Sequence, residues 1–321
     1  MAFSYLLDKI RSAEFSADPF LHIQINDFFS PEDFAALAAT PEIATVNLKS
    51  DEDLFDTLIA TGYKIIDFPG CILDKGKYIS WHKHRKTVSI TNSACEGFGV
   101  TLRLIKTHSA AVSELNDFVN SPLFQKTLAE KYGISMDDVF YDAGIQKYLD
   151  GYEISPHPDI RRKALTYMVN LNPASDSEAQ DHHTHYLKFQ PNYSYVQSFW
   201  EGHPGLDRCW VPWSWCKTET MQRANNSIVI FSPSNSTMHG VKTNYDHLKS
   251  QRTQLYGNLW YHDAPAKAGP EWEDFVIKPR VKLEALTLKG RLKSAMPKPV
   301  KDFIVSRRAD KDVIANRLGE N

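Results

Sequence analysis

The sequence has few cysteines and no long hydrophobic run. Its cysteines are Cys71, Cys95, Cys209 and Cys216, and no two of them have C-x-x-C spacing. This scarcity argues against a disulfide framework and against a zinc or redox motif built on cysteine. No stretch approaches the roughly 18 consecutive apolar residues of a membrane-spanning helix. We therefore expect a cytoplasmic protein with reduced thiols.

The composition is that of a globular protein. Hydrophobic residues make up 42% and charged residues 24% of the 321-residue chain, which is enough to bury a large core in one domain with appendages. The first residues, MAFSYLLDKIRSAEF, include acidic side chains and contain no long apolar run. We therefore do not expect them to act as a secretory signal.

Charge is distributed unevenly along the chain. Residues 278–321 contain 12 Lys and Arg against 5 Asp and Glu, which leaves 25 against 34 in residues 1–277. In this basic tail, KLEALTLKGRLKSAM and VKDFIVSRRADKDVIANRL have apolar residues at helical spacing and predict two amphipathic helices. The helices could pack as a solvated pair or contact an anionic membrane surface. No nucleic-acid partner is expected, because the body of the protein is acidic.

The remainder of the chain changes from mixed to β-rich. FSYLLDKIRSAEF predicts a helix, FLHIQINDFF a strand, and Ser30 the N-cap of a second helix. Residues 108–133 carry a helical pattern that ends at a glycine. Short β-type runs then follow, namely GIQKYLDG, ALTYMVNLN, THYLKFQ, SIVIFSP and TQLYGNLWYH. We therefore predict a mainly β protein, an antiparallel barrel or sandwich with flanking helices.

The segment YEISPHPDI places His157 and Asp159 two residues apart, around Pro158. A residue before proline is restricted to extended conformations, and proline itself has a fixed φ. In an extended segment, residues i and i+2 project to the same side. The imidazole and the carboxylate are therefore predicted to converge on one metal ion. The alternative is an ordinary surface turn.

A third ligand for this pair lies further along the chain. His239 follows an apolar strand and a polar turn in SIVIFSPSNSTMHGV. Two histidines and one carboxylate are the ligand set of the non-haem Fe(II) oxygenases, in which the other coordination positions admit a co-substrate and oxygen. We therefore predict that His157, Asp159 and His239 are the metal ligands and the catalytic centre.

An arginine follows the third ligand after thirteen residues. Arg252 enters a β-type run, QRTQLYGNLWY, and a buried guanidinium offers a bidentate fork to a carboxylate. If a 2-oxo acid chelates the iron, the far carboxylate of 2-oxoglutarate explains the position of this arginine. A surface ion pair is the simpler alternative.

Together these motifs resemble the Fe(II)/2-oxoglutarate-dependent dioxygenase superfamily, and within it the prolyl-4-hydroxylase-like branch. The resemblance covers residues 19–262. The matching segments occur in the order of the family, at residues 19–29, 147–152, 157–159, 163–172, 227–231 and 239–241 and at Arg252.

The resemblance implies a double-stranded β-helix, a jelly-roll barrel like that of cupins, with N-terminal α+β elements, and the apolar spacing after residue 265 adds a C-terminal helical tail. It implies an oxygenase domain over residues 1–265, with the β-helix at 140–263, a Trp-rich insertion at 190–222 and an extension at 266–321. The implied cofactors are Fe(II), 2-oxoglutarate as co-substrate and O2. Asp159 favours hydroxylation over halogenation, since halogenating relatives typically have a small residue at this position; desaturation, cyclisation and epimerisation use the same ligands and stay open.

Two segments depart from the family pattern. His182-His183-Thr184-His185 replaces a turn that resembles Gly-Gly-Glu-Thr, and Gln254 replaces a serine that many relatives use to contact 2-oxoglutarate. Tyr148, Thr166 and Asn170 are therefore predicted to complete the 2-oxoglutarate site. We interpret the histidine cluster as a loop or a substrate-facing rim rather than a zinc site.

Substrate contacts are predicted in the histidine cluster and in the insertion. The insertion contains SFWEGHPGLDRCWVPWSWC, whose aromatic side chains either stack on a sugar or planar substrate or form a satellite core. The predicted substrate-contacting residues are His183, His185, Trp200 and Trp210.

The functional hypothesis is a hydroxylase that acts on an unactivated C–H bond of a small-molecule, sugar-containing or glycolipid-type substrate. A peptidyl, prolyl-type hydroxylase is the alternative that the nearest branch suggests. Two hypotheses of another class stay open, a non-catalytic cupin-like binding protein and a zinc hydrolase. The sequence does not specify an oligomeric state. It predicts a cytoplasmic protein whose basic tail is a candidate contact with the inner membrane surface.

Overall fold

In a computed structural model, the protein is described over residues 3–44, 47–68, 70–84, 93–264 and 295–300. Most of the predicted basic tail lies outside these residues, and the two amphipathic helices predicted there stay predictions. Within the described part of the chain, no helix combines the length and the apolar character needed to cross a membrane.

The chain divides into two compact units. The first consists of residues 1–80 and 90–270, and the second of residues 81–89 and 271–321. The strands and the functional residues considered below belong to the first unit.

The helices and strands alternate in the first half of the chain, and strands predominate in the second half. The helices are α1 (Tyr5–Ser12), α2 (Pro31–Ala38), α3 (Asp51–Ala60), α4 (Lys75–His84), α5 (Ala110–Val119), α6 (Pro122–Lys131) and α7 (Tyr195–Gly202). The strands are β1 (Ile23–Ile25), β2 (Tyr63–Ile65), β3 (Thr101–Leu104), β4 (Val139–Tyr148), β5 (Glu153–His157), β6 (Lys163–Asn170), β7 (Thr184–Phe189), β8 (Cys216–Met221), β9 (Ile228–Phe231), β10 (His239–Lys242) and β11 (Arg252–Tyr261).

The strands form two antiparallel sheets. The larger sheet has the order β1-β9-β6-β11-β4-β3-β2, and the smaller has the order β5-β10-β7-β8. The prediction of a mainly β protein with antiparallel sheets and additional helices is confirmed.

From β4 onward, the chain passes repeatedly between the two sheets. Strands β4, β6, β9 and β11 belong to the larger sheet, whereas β5, β7, β8 and β10 belong to the smaller one. Only the connection from β7 to β8 stays within one sheet. As a result β10 pairs with β5, and β11 pairs with β4, although these strands are far apart in sequence. These two pairings position the residues of the candidate site.

Local sequence sets the ends of the helices. Ser30 caps α2, as predicted. The helical pattern at residues 108–133 is divided into two helices at Ser121, whose Oγ accepts a hydrogen bond from the Phe124 amide at 3.3 Å. Pro122 occupies the first position of α6, where its missing N–H costs nothing. A single continuous helix does not form, because proline disrupts a helix interior.

The Trp-rich segment between β7 and β8 forms a satellite core together with residues of the neighbouring strands. Its buried cluster consists of Leu187, Trp200, Val211, Cys216 and Met238. The last residues of the predicted insertion, at about 190–222, form strand β8, which pairs with β7. The polar sequence CKTETM lies on an edge strand, so it lacks the hydrophobic signal of a central strand.

Lys147 lies on β4 beside Tyr148 and projects to the opposite face of the strand. Its side chain is 1% exposed. The ammonium group donates hydrogen bonds to Thr253 Oγ1 at 2.7 Å and to the Ile43 carbonyl at 3.1 Å. Burial lowers the pKa of Lys147 to about 7. Neutral acceptors therefore hold a lysine that is largely uncharged above neutral pH.

We expect Lys147→Met to stabilise the protein most at and below neutral pH. The unfolded chain keeps a proton on Lys147 up to about pH 10.4, whereas the folded chain releases it near pH 7. The parent protein therefore gains stability as the pH rises between these two values. The difference in unfolding free energy between variant and parent, measured by urea denaturation, is expected to shrink over this range. A difference independent of pH would contradict the assignment.

Candidate active site

The structure brings the three predicted metal ligands together. His157 ends β5 and His239 begins β10, and the two residues are direct partners in the antiparallel ladder. Their Nε2 atoms lie 3.3 and 3.8 Å from the carboxylate oxygens of Asp159. One ligand atom from each residue lies within 4.8 Å of the others, and all three side chains are buried. This is a preformed three-donor site.

Backbone carbonyls orient both imidazoles. His157 Nδ1 lies 2.9 Å from the Ser155 carbonyl, and His239 Nδ1 lies 2.9 Å from the Thr237 carbonyl. A carbonyl oxygen only accepts hydrogen bonds, so Nδ1 carries the proton in each ring. The lone pair of each Nε2 is then free to bind a metal.

The backbone at Asp159 differs from the sequence prediction. We expected an extended segment that carries both ligands, but β5 ends at His157, and Asp159 has a φ of 64° in the left-handed region. Aspartate tolerates this conformation better than most residues do. The turn is held by Thr237 Oγ1, which donates to the Pro158 carbonyl at 3.0 Å, and by Arg208 Nε, which donates to the Asp159 carbonyl at 3.0 Å.

Two side chains fix the carboxylate of Asp159. Lys163 Nζ lies 2.7 Å from Oδ1, and Thr166 Oγ1 donates to Oδ2 at 3.0 Å. Burial alone would raise the pKa of Asp159, but Lys163 and the two histidines outweigh this effect and hold it well below its ordinary value. The carboxylate is therefore ionised. Thr166 contacts this ligand directly, a position that differs from its predicted place in the 2-oxoglutarate site.

His239 is neutral at physiological pH. Burial, followed by the proximity of His157, lowers the pKa of His239 to about 3. Metal binding requires a neutral imidazole and an ionised carboxylate. The donor set of imidazole nitrogen and carboxylate oxygen fits Fe(II) and other borderline divalent metals.

A second buried feature, the guanidinium of Arg252, lies at the start of β11. The side chain is 2% exposed, and its guanidinium carbon lies 4.4 Å from the centre of the Tyr148 ring. Nη2 contacts Thr184 Oγ1 at 3.1 Å and Gln254 Oε1 at 3.4 Å, while Nη1 is buried without a partner in the described part of the chain. No carboxylate of the described residues lies within 4.0 Å of the guanidinium. Burying a cation without a charged partner is costly, so this position favours an anionic ligand.

The other residues predicted to bind 2-oxoglutarate are placed at different distances from Arg252. Tyr148 stacks on the guanidinium and directs its own hydroxyl to Gln146 Oε1 at 2.5 Å. Asn170 lies one contact further away, since its Oδ1 accepts from Gln254 Nε2 at 3.3 Å. Gln254 therefore connects the two, in the position where many relatives have serine.

The histidine cluster lies on the Arg252 side of the site. His182 is buried, its Nδ1 has no partner among the described residues, and its ring lies 5.0 Å from that of Tyr245. Tyr245 in turn accepts a hydrogen bond from the Arg252 amide. Burial and then Arg252 lower the pKa of His182 to about 3 and that of His183 to about 4. These two neutral histidines border the arginine, a role that was not predicted for His182.

The predicted substrate residues occupy three different environments. Trp210 stacks on His157, with the ring centres 6.0 Å apart and an angle of 28° between the planes. His185 lies opposite Gly240 in the β7–β10 ladder, and its ring lies 5.2 Å from that of Trp213. Trp200, at 3% exposed, is part of the satellite core, as in the structural alternative for the insertion.

No protein-family model and no curated protein matches the chain. Among solved structures, it is similar to a Pseudomonas putida prolyl-4-hydroxylase, with 10% identity and a TM-score of 0.39 over 82% of this chain and 100% of that chain. A second similar structure is a 2OG-Fe(II) oxygenase-family oxidoreductase from Burkholderia pseudomallei, with 12% identity and a TM-score of 0.29 over 71% and 100%.

A third similar structure is HygX from Streptomyces hygroscopicus, solved with nickel, 2-oxoglutarate and hygromycin B. It has 10% identity and a TM-score of 0.29 over 67% of this chain and 88% of that chain. These structural similarities are distant, and the roles of individual residues rest on the contacts of the site itself.

The left-handed backbone at Asp159 leads to a test that separates backbone strain from ligand loss. Asp159→Gly and Asp159→Ala both remove the carboxylate, but only alanine has a Cβ that opposes a positive φ. We expect the glycine variant to be more stable than the alanine variant by about 1 kcal/mol. Urea denaturation of the metal-free variants measures the difference. A more stable alanine variant would contradict the conformation described.

Proposed function

We propose that this protein is an Fe(II)- and 2-oxoglutarate-dependent oxygenase that hydroxylates an unactivated C–H bond. The observation that supports this best is the combination of a three-donor metal site with a buried arginine that lacks a carboxylate partner. Either feature alone is compatible with other functions. A dicarboxylate that chelates the metal and neutralises the arginine requires both.

The strand register supports a single ligand that reaches both features. Arg252 contacts Thr184, and Thr184 is the ladder partner of Val241, two residues beyond His239. Two residues along a strand correspond to about 7 Å. A five-carbon dicarboxylate spans a distance of this order, so 2-oxoglutarate fits the separation.

The proposed fold assignment follows from the alternation of the strands between the two sheets. Eight strands, β4 to β11, are divided equally between the sheets, as expected for a jelly-roll barrel of the double-stranded β-helix type. We assign the oxygenase domain to residues 1–265. The metal-binding histidines lie where the facing ends of β5 and β10 meet.

In the proposed mechanism, His157, Asp159 and His239 would hold Fe(II), and Arg252 would bind the distal carboxylate of 2-oxoglutarate. When bound, the iron with 2-oxoglutarate and O2 supplies the oxidising power for C–H hydroxylation. Lys163 keeps Asp159 ionised and oriented. Tyr148 covers the guanidinium and excludes water from it, which strengthens its interaction with a carboxylate.

We propose a small-molecule or sugar-containing substrate, bound on the side of the site formed by the insertion. Trp210 supports this, because its ring lies against a metal ligand. His185 and Trp213 support it as well, because His185 pairs with the residue that follows His239. Trp200 and His183 are less suited to substrate contact, since one belongs to a core and the other borders Arg252.

The first test is formation of the metal and co-substrate complex. Anaerobic addition of Fe(II) and 2-oxoglutarate is expected to produce a weak visible charge-transfer band, and oxygen is then expected to produce succinate. His157→Ala and Asp159→Ala are expected to abolish the band, because each removes a donor. His262→Ala changes an exposed histidine and serves as the matched control. Absence of the band and of oxygen-dependent succinate would refute the proposal, and activity that survives anaerobiosis would indicate a zinc hydrolase.

The second test concerns Arg252. Arg252→Lys keeps the charge but loses the planar fork, and Arg252→Gln loses both. We expect 2-oxoglutarate affinity, measured by titration of the band, to fall by at least about tenfold in the lysine variant and further in the glutamine variant. Arg162→Gln alters an exposed arginine and is expected to leave the affinity unchanged. Equal affinity in all variants would exclude Arg252 from co-substrate binding.

A further inference from the structure

A second buried arginine lies beside the metal site. Arg208 belongs to the insertion and is 3% exposed. Nε donates to the Asp159 carbonyl at 3.0 Å, and Nη1 lies 3.4 Å from Asn235 Oδ1. No carboxylate of the described residues lies within 4.0 Å of the guanidinium, and Nη2 makes no hydrogen bond to them. Unlike Arg252, Arg208 was not singled out by the sequence motifs.

The segment around Arg208 runs alongside the metal-binding turn. The Val211 amide donates to the Pro156 carbonyl at 2.9 Å, and Arg208 reaches the Asp159 carbonyl. Between them, Trp210 stacks on His157. The insertion therefore presents a cation and an aromatic ring to the residues that carry two of the proposed metal ligands.

Neighbouring charges do not neutralise Arg208. The nearby carboxylate of Asp159 is already paired with Lys163 at 2.7 Å. Asp207 is exposed, and its Oδ1 accepts a hydrogen bond from the Arg161 amide at 3.1 Å. Arg161 adds a further positive charge, and its guanidinium donates to backbone carbonyls of the insertion, including that of Trp200 at 2.9 Å. With Arg208 itself, the group therefore contains three cationic side chains, Arg208, Arg161 and Lys163, against two carboxylates, Asp159 and Asp207, a net charge of +1.

We propose that Arg208 binds an anionic group of the substrate, a carboxylate or a phosphate, next to the carbon that is oxidised. This inference rests on the proposed function and specifies its substrate class as an organic anion. The positive charge around Arg208 supports an anionic substrate. A bound divalent metal would add to this charge, and the distal carboxylate of 2-oxoglutarate would pair with Arg252 rather than with Arg208. Nη2 of Arg208 then donates hydrogen bonds to the anionic group of the substrate, and Trp210 packs against the apolar part of the same substrate.

The alternative is that Arg208 has a purely structural role. In that case Arg208 only ties the insertion to the turn through the Asp159 carbonyl. Its loss would lower thermal stability and metal affinity, but it would not affect the binding of an anion. Anion affinity therefore distinguishes the two roles.

The binding experiment uses the full-length protein with Fe(II) and 2-oxoglutarate under anaerobic conditions. Acetate and methyl phosphate are titrated by calorimetry, with acetamide as the neutral counterpart of acetate. We expect at least one anion to bind saturably, acetamide not to bind, and Arg208→Gln to weaken anion binding by about 10- to 100-fold. The anion that binds with the higher affinity shows whether Arg208 recognises a carboxylate or a phosphate.

Two further variants complete the design. Arg208→Lys keeps the charge and is expected to retain part of the affinity, which keeps the test valid if the glutamine variant is unstable. Arg162→Gln removes an exposed arginine three residues after Asp159 and is expected to bind both anions as the parent does. Saturable binding that is equal in the parent and both Arg208 variants, or no binding of either anion, would overturn the inference.

The charge-transfer band separates this inference from the proposed function. A band that forms in the parent and in Arg208→Gln, with anion binding weakened only in the variant, supports both. A band in both proteins with unchanged anion binding overturns the role of Arg208 alone. A band absent from the parent refutes the proposed function. With a turnover substrate, Arg208→Gln is expected to raise KM more than it lowers kcat.

Discussion

The candidate site depends on the antiparallel pairing of β5 with β10. This pairing makes His157 and His239 direct neighbours, although four strands, β6 to β9, lie between them in the sequence. The same ladder continues to β7, which carries Thr184 to Arg252 and His185 to Gly240. A register shift of one residue would turn every side chain of the strand to the opposite face of the sheet. Register is therefore the constraint that keeps His157 opposite His239 and brings Thr184 to Arg252, which lies on β11 of the other sheet.

Around this pairing, the charged residues differ in the kind of partner that holds them. Asp159 is held by a lysine and a threonine, the imidazoles by backbone carbonyls, and Arg252 by tyrosine, threonine and glutamine side chains that carry no charge. The negative ligand thus has a cationic partner, whereas the buried arginine does not. This asymmetry favours an exogenous anion over a closed structural ion pair.

Residues with a local signal were predictable from the sequence. His157 and Asp159 are marked by the adjacent proline, and His239 and Arg252 lie where a strand begins. The fold class followed from short runs of β-forming residues. Lys163 and Arg208 lacked such a signal, because their significance comes from contacts with Asp159 made through the folded chain. The backbone conformation of Asp159 was also missed, since a proline restricts the residue that precedes it but not the residue that follows.

The left-handed conformation of Asp159 has a consequence for the evolution of the site. Glycine adopts a φ of 64° without steric cost, so a single replacement could remove the carboxylate while the turn keeps its path. Under the proposed function, the metal would then retain two protein ligands and gain a position for an ion from solvent. The backbone of the turn is therefore compatible with glycine at position 159. Lys163, which now pairs with the Asp159 carboxylate, would then be free to attract an anion in place of that carboxylate.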